Sequence, residues 1–247
     1  LINLECSTKR LAIMQKRIDL LGLSFERVSA VDGSTLSMED LSIVNAPNWR
    51  YPYTLSKGEI GCFLSHKKCW TKLLESDEEW ALILEDDCVF SSKAHQYLAT
   101  TDWIPKNCLA VQLNIIHARD SMYSNEMLPI INSNSLISIR ESSPCGAYAY
   151  LLHREAAKVA LDLSKTLDAP VDNFLWGIYM DFPKKIQGWR LVNPIAKVID
   201  DVETTIGQRG KLGGCNFYKI HPVRLFEKIR IVLSRLLLKK VEQKWID

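Results

Sequence analysis

The sequence predicts an α/β fold, a mostly parallel twisted sheet with helices on both faces. Three observations lead there. Short apolar runs alternate with stretches of helical periodicity along most of the chain. The runs Trp80 to Leu84 and Cys108 to Ile116 have the length and apolar density of strands buried on both faces. The segments between runs carry cap and turn residues where helices should start and stop. In sheets of this kind ligands gather at the carboxyl ends of the strands.

Taken in order, LINLE is a short strand, and Ser7 caps a helix whose apolar face is Leu11, Met14, Ile18 and Leu21, closed by Gly22. SFERVSAV is a second strand ended by Asp32-Gly33, which completes a βαβ unit. The following loop, Asn45 to Leu55, holds Trp49, Tyr51 and Tyr53, too aromatic for a mere connection and suited to a substrate wall. Ser56 and Glu59 form a Ser-x-x-Glu capping box that opens a helix running to Ser76. WALIL follows as a core strand, then CLAVQLNII as another, then a polar loop from Ile116 to Asn134. CGAYAYLL is a strand feeding the helix HREAAKVALDL, Pro170 starts a short helix, and GWRLVNPIAKVI is strand-like. IGQRGKLGG is a basic, glycine-rich loop, and no internal repeat is visible.

At 247 residues, with 47% hydrophobic and 24% charged, the chain can bury a sizeable core. The net charge of +2 hides an asymmetry, because from Lys219 onward eight Lys or Arg face three Asp or Glu. The tail is therefore +5 and the rest −3, so basic character is local. From Pro222 the tail reads as an amphipathic helix, with Leu225, Ile229, Val232 and Leu236 on one face and Arg224, Lys228, Arg235 and Lys239 beside it. Residues 1–221 are read as one domain and 222–247 as this helix, which either packs on the core or meets an anionic membrane surface. Nucleic acid is not the expected partner, since the basic tail lacks interleaved aromatic residues. Seven cysteines without a Cys-x-x-Cys pair suggest reduced thiols in the cytoplasm rather than a disulfide framework or a zinc site. Neither a signal peptide nor a bilayer-spanning run is expected.

The strand WALIL runs straight into Glu85, Asp86 and Asp87 with no basic residue between them. Adjacent carboxylates raise one another's pKa unless something positive sits beside them. A divalent cation is a natural partner, and hard Mg²⁺ or Mn²⁺ shells are commonly completed by phosphate oxygens. The bland alternative is that one of the three merely caps a following helix near Ser91-Ser92. No His-Glu-x-x-His and no P-loop spacing occurs, which disfavours a zinc hydrolase and an ATPase.

The ordered set AVDG, LSKGEIGCFLSHKKCW, WALILEDD, CGAYAYLLHREAA, PVDNFL and ETTIGQRG resembles glycosyltransferase family 25 over most of the chain. The resemblance implies a GT-A type glycosyltransferase fold, in which an Asp-x-Asp-like motif holds Mn²⁺ (or Mg²⁺) on the diphosphate of a UDP-sugar. Here the motif reads Glu85-Asp86-Asp87, a Glu-x-Asp variant. Carried over, Asp87 is a metal ligand, Glu85 faces metal or ribose, and Asp86 lies with the donor. Asp32 is either a plain turn residue or the acceptor of a uracil N–H, and Asn3 is a further donor-site candidate. Arg209 and Lys211 either belong to a solvated loop or reach the diphosphate, and His221 is a weaker candidate ligand. His66, in the middle of its helix, is either a satisfied structural residue or part of the site. Asp172 is either a helix cap or the base that deprotonates the acceptor hydroxyl.

The resemblance implies transfer of a hexose, galactose from UDP-galactose, with inversion onto a saccharide of lipooligosaccharide or lipopolysaccharide. A lipid-linked acceptor would place the protein on the inner face of the cytoplasmic membrane. Two rivals stand beside this reading: a transferase of another UDP-sugar, and a member that binds nucleotide-sugar or glycan without turnover.

Overall fold

A computed structural model describes residues 1–115, 122–124, 126–139, 146–198 and 222–246. In chain order the elements are β1 (Ile2–Asn3), α1 (Thr8–Asp19), β2 (Val28–Ser29), α2 (Met38–Ser42), α3 (Lys57–Glu75), β3 (Trp80–Leu84), β4 (Cys88–Phe90) and α4 (His95–Leu98). They continue as β5 (Ala110–Gln112), β6 (Met122–Tyr123), β7 (Met127–Pro129), β8 (Ser135–Ser138), β9 (Ala149–His153), α5 (Arg154–Leu163), α6 (Val171–Trp176) and α7 (Phe182–Lys185). The last are β10 (Gly188–Leu191), β11 (Ala196–Val198), α8 (Pro222–Leu237) and β12 (Lys240–Val241).

The central sheet has six strands in the order β3-β9-β5-β10-β8-β7, and β1 extends it through a parallel bridge from Ile2 to Glu85. β1, β2, β3, β5, β7 and β10 share one direction, whereas β8 and β9 run against them. Most strands are thus parallel in direction, yet each reversed strand sits between two others, so most neighbouring pairs in the sheet are antiparallel. Side chains alternate across the sheet as strand geometry requires. Tyr150 and Leu152 of β9 enter one core with Phe63, Trp70 and Trp176. Ala149 and Leu151 enter the opposite core with Met14, Tyr97 and Trp189. Helices α3, α5 and α6 supply the first core, and α1 and α4 the second. Trp70, Trp176 and Trp189 are fully buried, and burial of such side chains stabilises by about 2–3 kcal/mol each.

Several local expectations change in detail. β3 is less buried than WALIL implies, because it lies at the edge of the six-stranded sheet and its first three residues are only partly covered. An apolar run cannot distinguish an edge strand covered by neighbouring helices from a central one. Ser7 occupies the N-cap of α1 but makes no side-chain cap bond. GWRLVNPIAKVI divides into β10 and β11, which join different sheets. The polar stretch from Ile116 to Asn134 contains β6 and β7 among its described residues. The C-terminal helix stops at Leu237, after which β12 pairs with β6 and Ile246 packs into the second core.

α3 is the best-specified element. Ser56 Oγ accepts from Glu59 N at 3.2 Å, and Ser56 N donates to Glu59 Oε2 at 2.8 Å, so the capping box is complete. The helix then passes very close to the β2 turn. A Cβ on Gly61 would lie 2.6 Å from Val31 O and 2.9 Å from Gly33 N, both backbone atoms that cannot swing aside. Gly61→Ala is therefore expected to push α3 off this turn and destabilise the protein by about 1–3 kcal/mol or more, measured by urea unfolding. An Ala at Gly22, whose φ is 69° but whose surroundings are open, is expected to cost about 1 kcal/mol through backbone strain alone.

Candidate functional site

β3 delivers Glu85, Asp86 and Asp87 to a cleft walled by β1, the turn after β2 and the first turns of α3. Asn3, Arg10, Asp32, Gly58 and Cys62 line the same cleft. Asn3 arrives on β1, which is held parallel to β2. Asp32 arrives on a turn that α3 pins in place: Val31 N donates to Ser65 Oγ at 2.8 Å, and Ser65 Oγ donates to Gly61 O at 2.7 Å.

The three carboxylates are treated differently. Asp86 is neutralised, with Arg10 Nη1 donating to Oδ1 at 3.0 Å and Asn3 Nδ2 donating to Oδ2 at 2.6 Å. Its contribution to the cleft is to hold Asn3 and Arg10. Glu85 faces His66, whose Nε2 lies 3.3 Å from Oε1. Asp87 Oδ1 is buried with no hydrogen-bond partner. The Asp87 pKa is pushed up to about 7, first by burial and then by the charges of Glu85 and Asp86, with Arg10 acting in the opposite direction.

Leaving a buried acceptor unsatisfied costs about 1–3 kcal/mol, and a bound cation would remove that cost. The donors facing the cleft from this motif are carboxylate oxygens, which suit Mg²⁺ or Mn²⁺ rather than a thiophilic ion. Asp87 and Glu85 therefore fit the metal implied by the sequence. Cys62 Sγ, His66 and Glu85 also bring ligand atoms within 4.8 Å of one another. With no cation nearby, burial, followed by the charges of Glu85, Asp172 and Asp87, pushes the Cys62 thiol well up.

The remaining expected residues fall as follows. Asp32 makes a turn, its Oδ1 accepting from Ser34 N at 2.8 Å and Ser34 Oγ at 2.7 Å. These bonds hold its pKa below the ordinary carboxylate value, and the residue also lines the cleft, so both readings of Asp32 are compatible. Asn3 keeps a buried Oδ1 without a partner. Asp172 lies in the first turn of α6, where Pro170 rather than Asp172 holds the cap position. Its Oδ2 accepts from Gly146 N at 3.3 Å and its Oδ1 from Asn173 N at 2.7 Å. Its charge acts on Cys62 together with those of Glu85 and Asp87, which places it in the same electrostatic neighbourhood. Arg209, Lys211 and His221 lie outside the described residues.

Sequence reasoning missed Arg10, Cys62 and the tie made by Ser65. A signal for Arg10 existed: α1 has no acidic residue in its first turn, and an arginine there opposes the helix dipole unless an anion is nearby. A larger cavity of about 460 Å³ lies beside β3, lined largely by apolar residues such as Leu21, Phe25, Leu73 and Trp80, with no carboxylate cluster.

A mixed sheet flanked by helices, with a carboxylate cleft at its strand ends, is a GT-A-like glycosyltransferase architecture. The model of glycosyltransferase family 25 (LPS biosynthesis protein) matches residues 1–175, and the chain belongs to that family. A glycosyltransferase 25 family member of Aedes aegypti is 30% identical over 193 residues, covering 75% of this chain and 31% of that protein. Human procollagen galactosyltransferase 2 is 35% identical over 103 residues, covering 39% of this chain and 16% of that protein. The lacto-N-neotetraose biosynthesis glycosyltransferase LgtE of Neisseria gonorrhoeae is 25% identical over 166 residues, covering 65% of this chain and 58% of that protein. The chain thus spans less than a third of the length of the insect and human relatives and more than half of LgtE.

The raised Asp87 pKa makes a signed prediction for metal-free protein. Because the folded value exceeds the unfolded 3.8, the protonated form favours the fold. Its contribution is complete below about pH 4 and is lost as pH rises through about 7. Asp87→Asn is expected to be more stable than the native chain at pH 8, on the order of 1–2 kcal/mol after allowance for solvent screening. The difference should close towards pH 4 in urea titrations. Added Mn²⁺ should stabilise the native chain and leave Asp87→Asn unchanged.

Proposed function

We propose that this chain transfers a hexose, galactose from UDP-galactose, with inversion onto a saccharide of lipooligosaccharide or lipopolysaccharide. The observation that carries the reading is the buried, unpartnered Asp87 oxygen at a strand-end cleft, in a chain whose relatives include proteins named as procollagen galactosyltransferases. Asp87 and Glu85 would hold Mn²⁺ or Mg²⁺, which would supply positive charge to the diphosphate leaving group. Asn3 and Asp32, on adjacent strand ends, are the groups proposed to receive the nucleoside, with Arg209 and Lys211 assigned to the diphosphate. Arg10 and Asn3 occupy the Asp86 carboxylate, so Asp86 is proposed to serve the donor site by holding these two residues in place. Asp172 is the proposed base for the acceptor hydroxyl. Its carboxylate accepts from Gly146 N and Asn173 N, which fix the direction in which it faces.

A procollagen-type protein acceptor is the second reading, favoured by the vertebrate matches. UDP release from a panel of UDP-sugars separates these possibilities, with Mn²⁺ or EDTA and with lactose-terminated, glucosamine-terminated or collagen-peptide acceptors. The expected result is release that requires UDP-galactose, metal and a saccharide acceptor. Asp87→Ala should abolish it, and Asp172→Asn should lower kcat by about 10²–10⁴-fold while leaving UDP binding intact. Metal-dependent UDP binding without release for any donor and acceptor would instead indicate a binding protein.

The proposal includes peripheral contact with an anionic membrane on its cytoplasmic side. On α8, Phe226, Leu233, Leu236 and Leu237 are exposed, Arg230 lies on the same helix, and Lys239 and Lys240 follow it. Such a surface suits the boundary between acyl chains and anionic headgroups. No helix among the described residues is long and apolar enough to cross a membrane. The chain should co-sediment with phosphatidylglycerol vesicles and not with phosphatidylcholine alone. Leu236→Ser/Leu237→Ser should weaken this at least about tenfold with turnover of a soluble acceptor unchanged.

A further inference from the structure

α3 sends two polar side chains into the core four residues apart, His66 and Trp70, and both meet Tyr150 of β9. Trp70 Nε1 donates to the Tyr150 hydroxyl at 2.9 Å. The indole nitrogen has only a proton to give, so the hydroxyl oxygen accepts there. His66 Nδ1 lies 2.8 Å from the same oxygen. Burial pushes the Tyr150 pKa well up, so the hydroxyl keeps its proton. His66 Nδ1 is the one acceptor for that proton among the described residues. The imidazole then carries its own proton on Nε2, which points at Glu85 Oε1 3.3 Å away. The ring is fully buried and stacks on Tyr150 with an interplanar angle of 19°, so it has little room to turn.

We propose that His66 is a positioning residue: the buried chain Trp70–Tyr150–His66 fixes an Nε2–H donor that orients the Glu85 carboxylate towards the donor-binding cleft. This rests on the reading of the cleft as a nucleotide-sugar and metal site. A freely rotating Glu85, next to Asp86 and Asp87, would present its charge in many directions; one oxygen tied to His66 leaves the other to face a ligand. The geometry also explains why a histidine stands in the middle of an otherwise structural helix face. Asparagine places an amide where Nδ1 is and glutamine places one where Nε2 is, and only the second would retain a donor for Glu85.

The test has two independent arms. In the first, ¹⁵N NMR of the imidazole, without substrate or metal, is expected to report the neutral Nε2–H tautomer, with the Nε2 resonance moving in Glu85→Gln and Tyr150→Phe. An Nδ1–H tautomer would overturn the proposal whatever the protein does. In the second, Mn²⁺ and UDP binding are titrated by calorimetry on folded His66→Asn and His66→Gln. His66→Asn is expected to weaken joint binding by about 10–100-fold, and His66→Gln to recover most of it. Equal binding by all three proteins, or equal loss in both variants, would overturn the positioning role. Native protein that binds neither Mn²⁺ nor UDP would instead overturn the reading of the cleft, and the tautomer arm would still decide whether the chain fixes Glu85.

Discussion

Charge must be dispersed at the end of β3 before the sheet can be built there. Three consecutive carboxylates repel one another in a partly dry setting, and this fold answers with separate partners instead of a shared one. Arg10 and Asn3 take Asp86, His66 takes one oxygen of Glu85, and Asp87 retains a buried oxygen without a partner. The arrangement determines where α1 starts, since its first turn must bring Arg10 over the strand end. It also determines what β1 must carry, since Asn3 bonds Asp86 while Ile2 bridges Glu85.

α3 is the element through which these requirements meet. Gly61 lets it touch the β2 turn, Ser65 fastens Val31, and His66 and Trp70 reach Tyr150. Gly61 and Ser65 are four residues apart, as are His66 and Trp70, and that spacing of about one turn stacks each pair along one row of the helix. A helix so constrained sets the distance between two strand ends, the one bearing Asp32 and the one bearing Glu85. Its stability is therefore bound up with the shape of the cleft, and small changes along its inner face would be felt at both walls.

Much of this was legible in the residues. The capping box of α3, the start of α6 after Pro170 and the core strands β5 and β9 all follow from spacing and local chemistry. The strand directions were harder to read. Nothing in CGAYAYLL states that β9 will run between two strands of opposite direction, because a fully buried strand is apolar on both faces whichever way it runs. The division of labour among Glu85, Asp86 and Asp87 was not readable either. It depends on Arg10, His66 and Asn3, which lie 76, 19 and 83 positions away from their partners. The split of β10 from β11 turns on Asn193 and Pro194, where the chain leaves one sheet for another.

The return of the chain after α8 has a geometric consequence. Two residues separate Leu237 from β12, which pairs with β6, and beyond it Lys244 N bonds Asn193 Oδ1 while Lys197 sits 4.5 Å above the Trp245 ring. A leash of that length spans about 10 Å at most. The C-terminal end of α8 is therefore moored within that distance of the β6–β12 pair, and a body seated there would stay within reach of the fold instead of trailing from it.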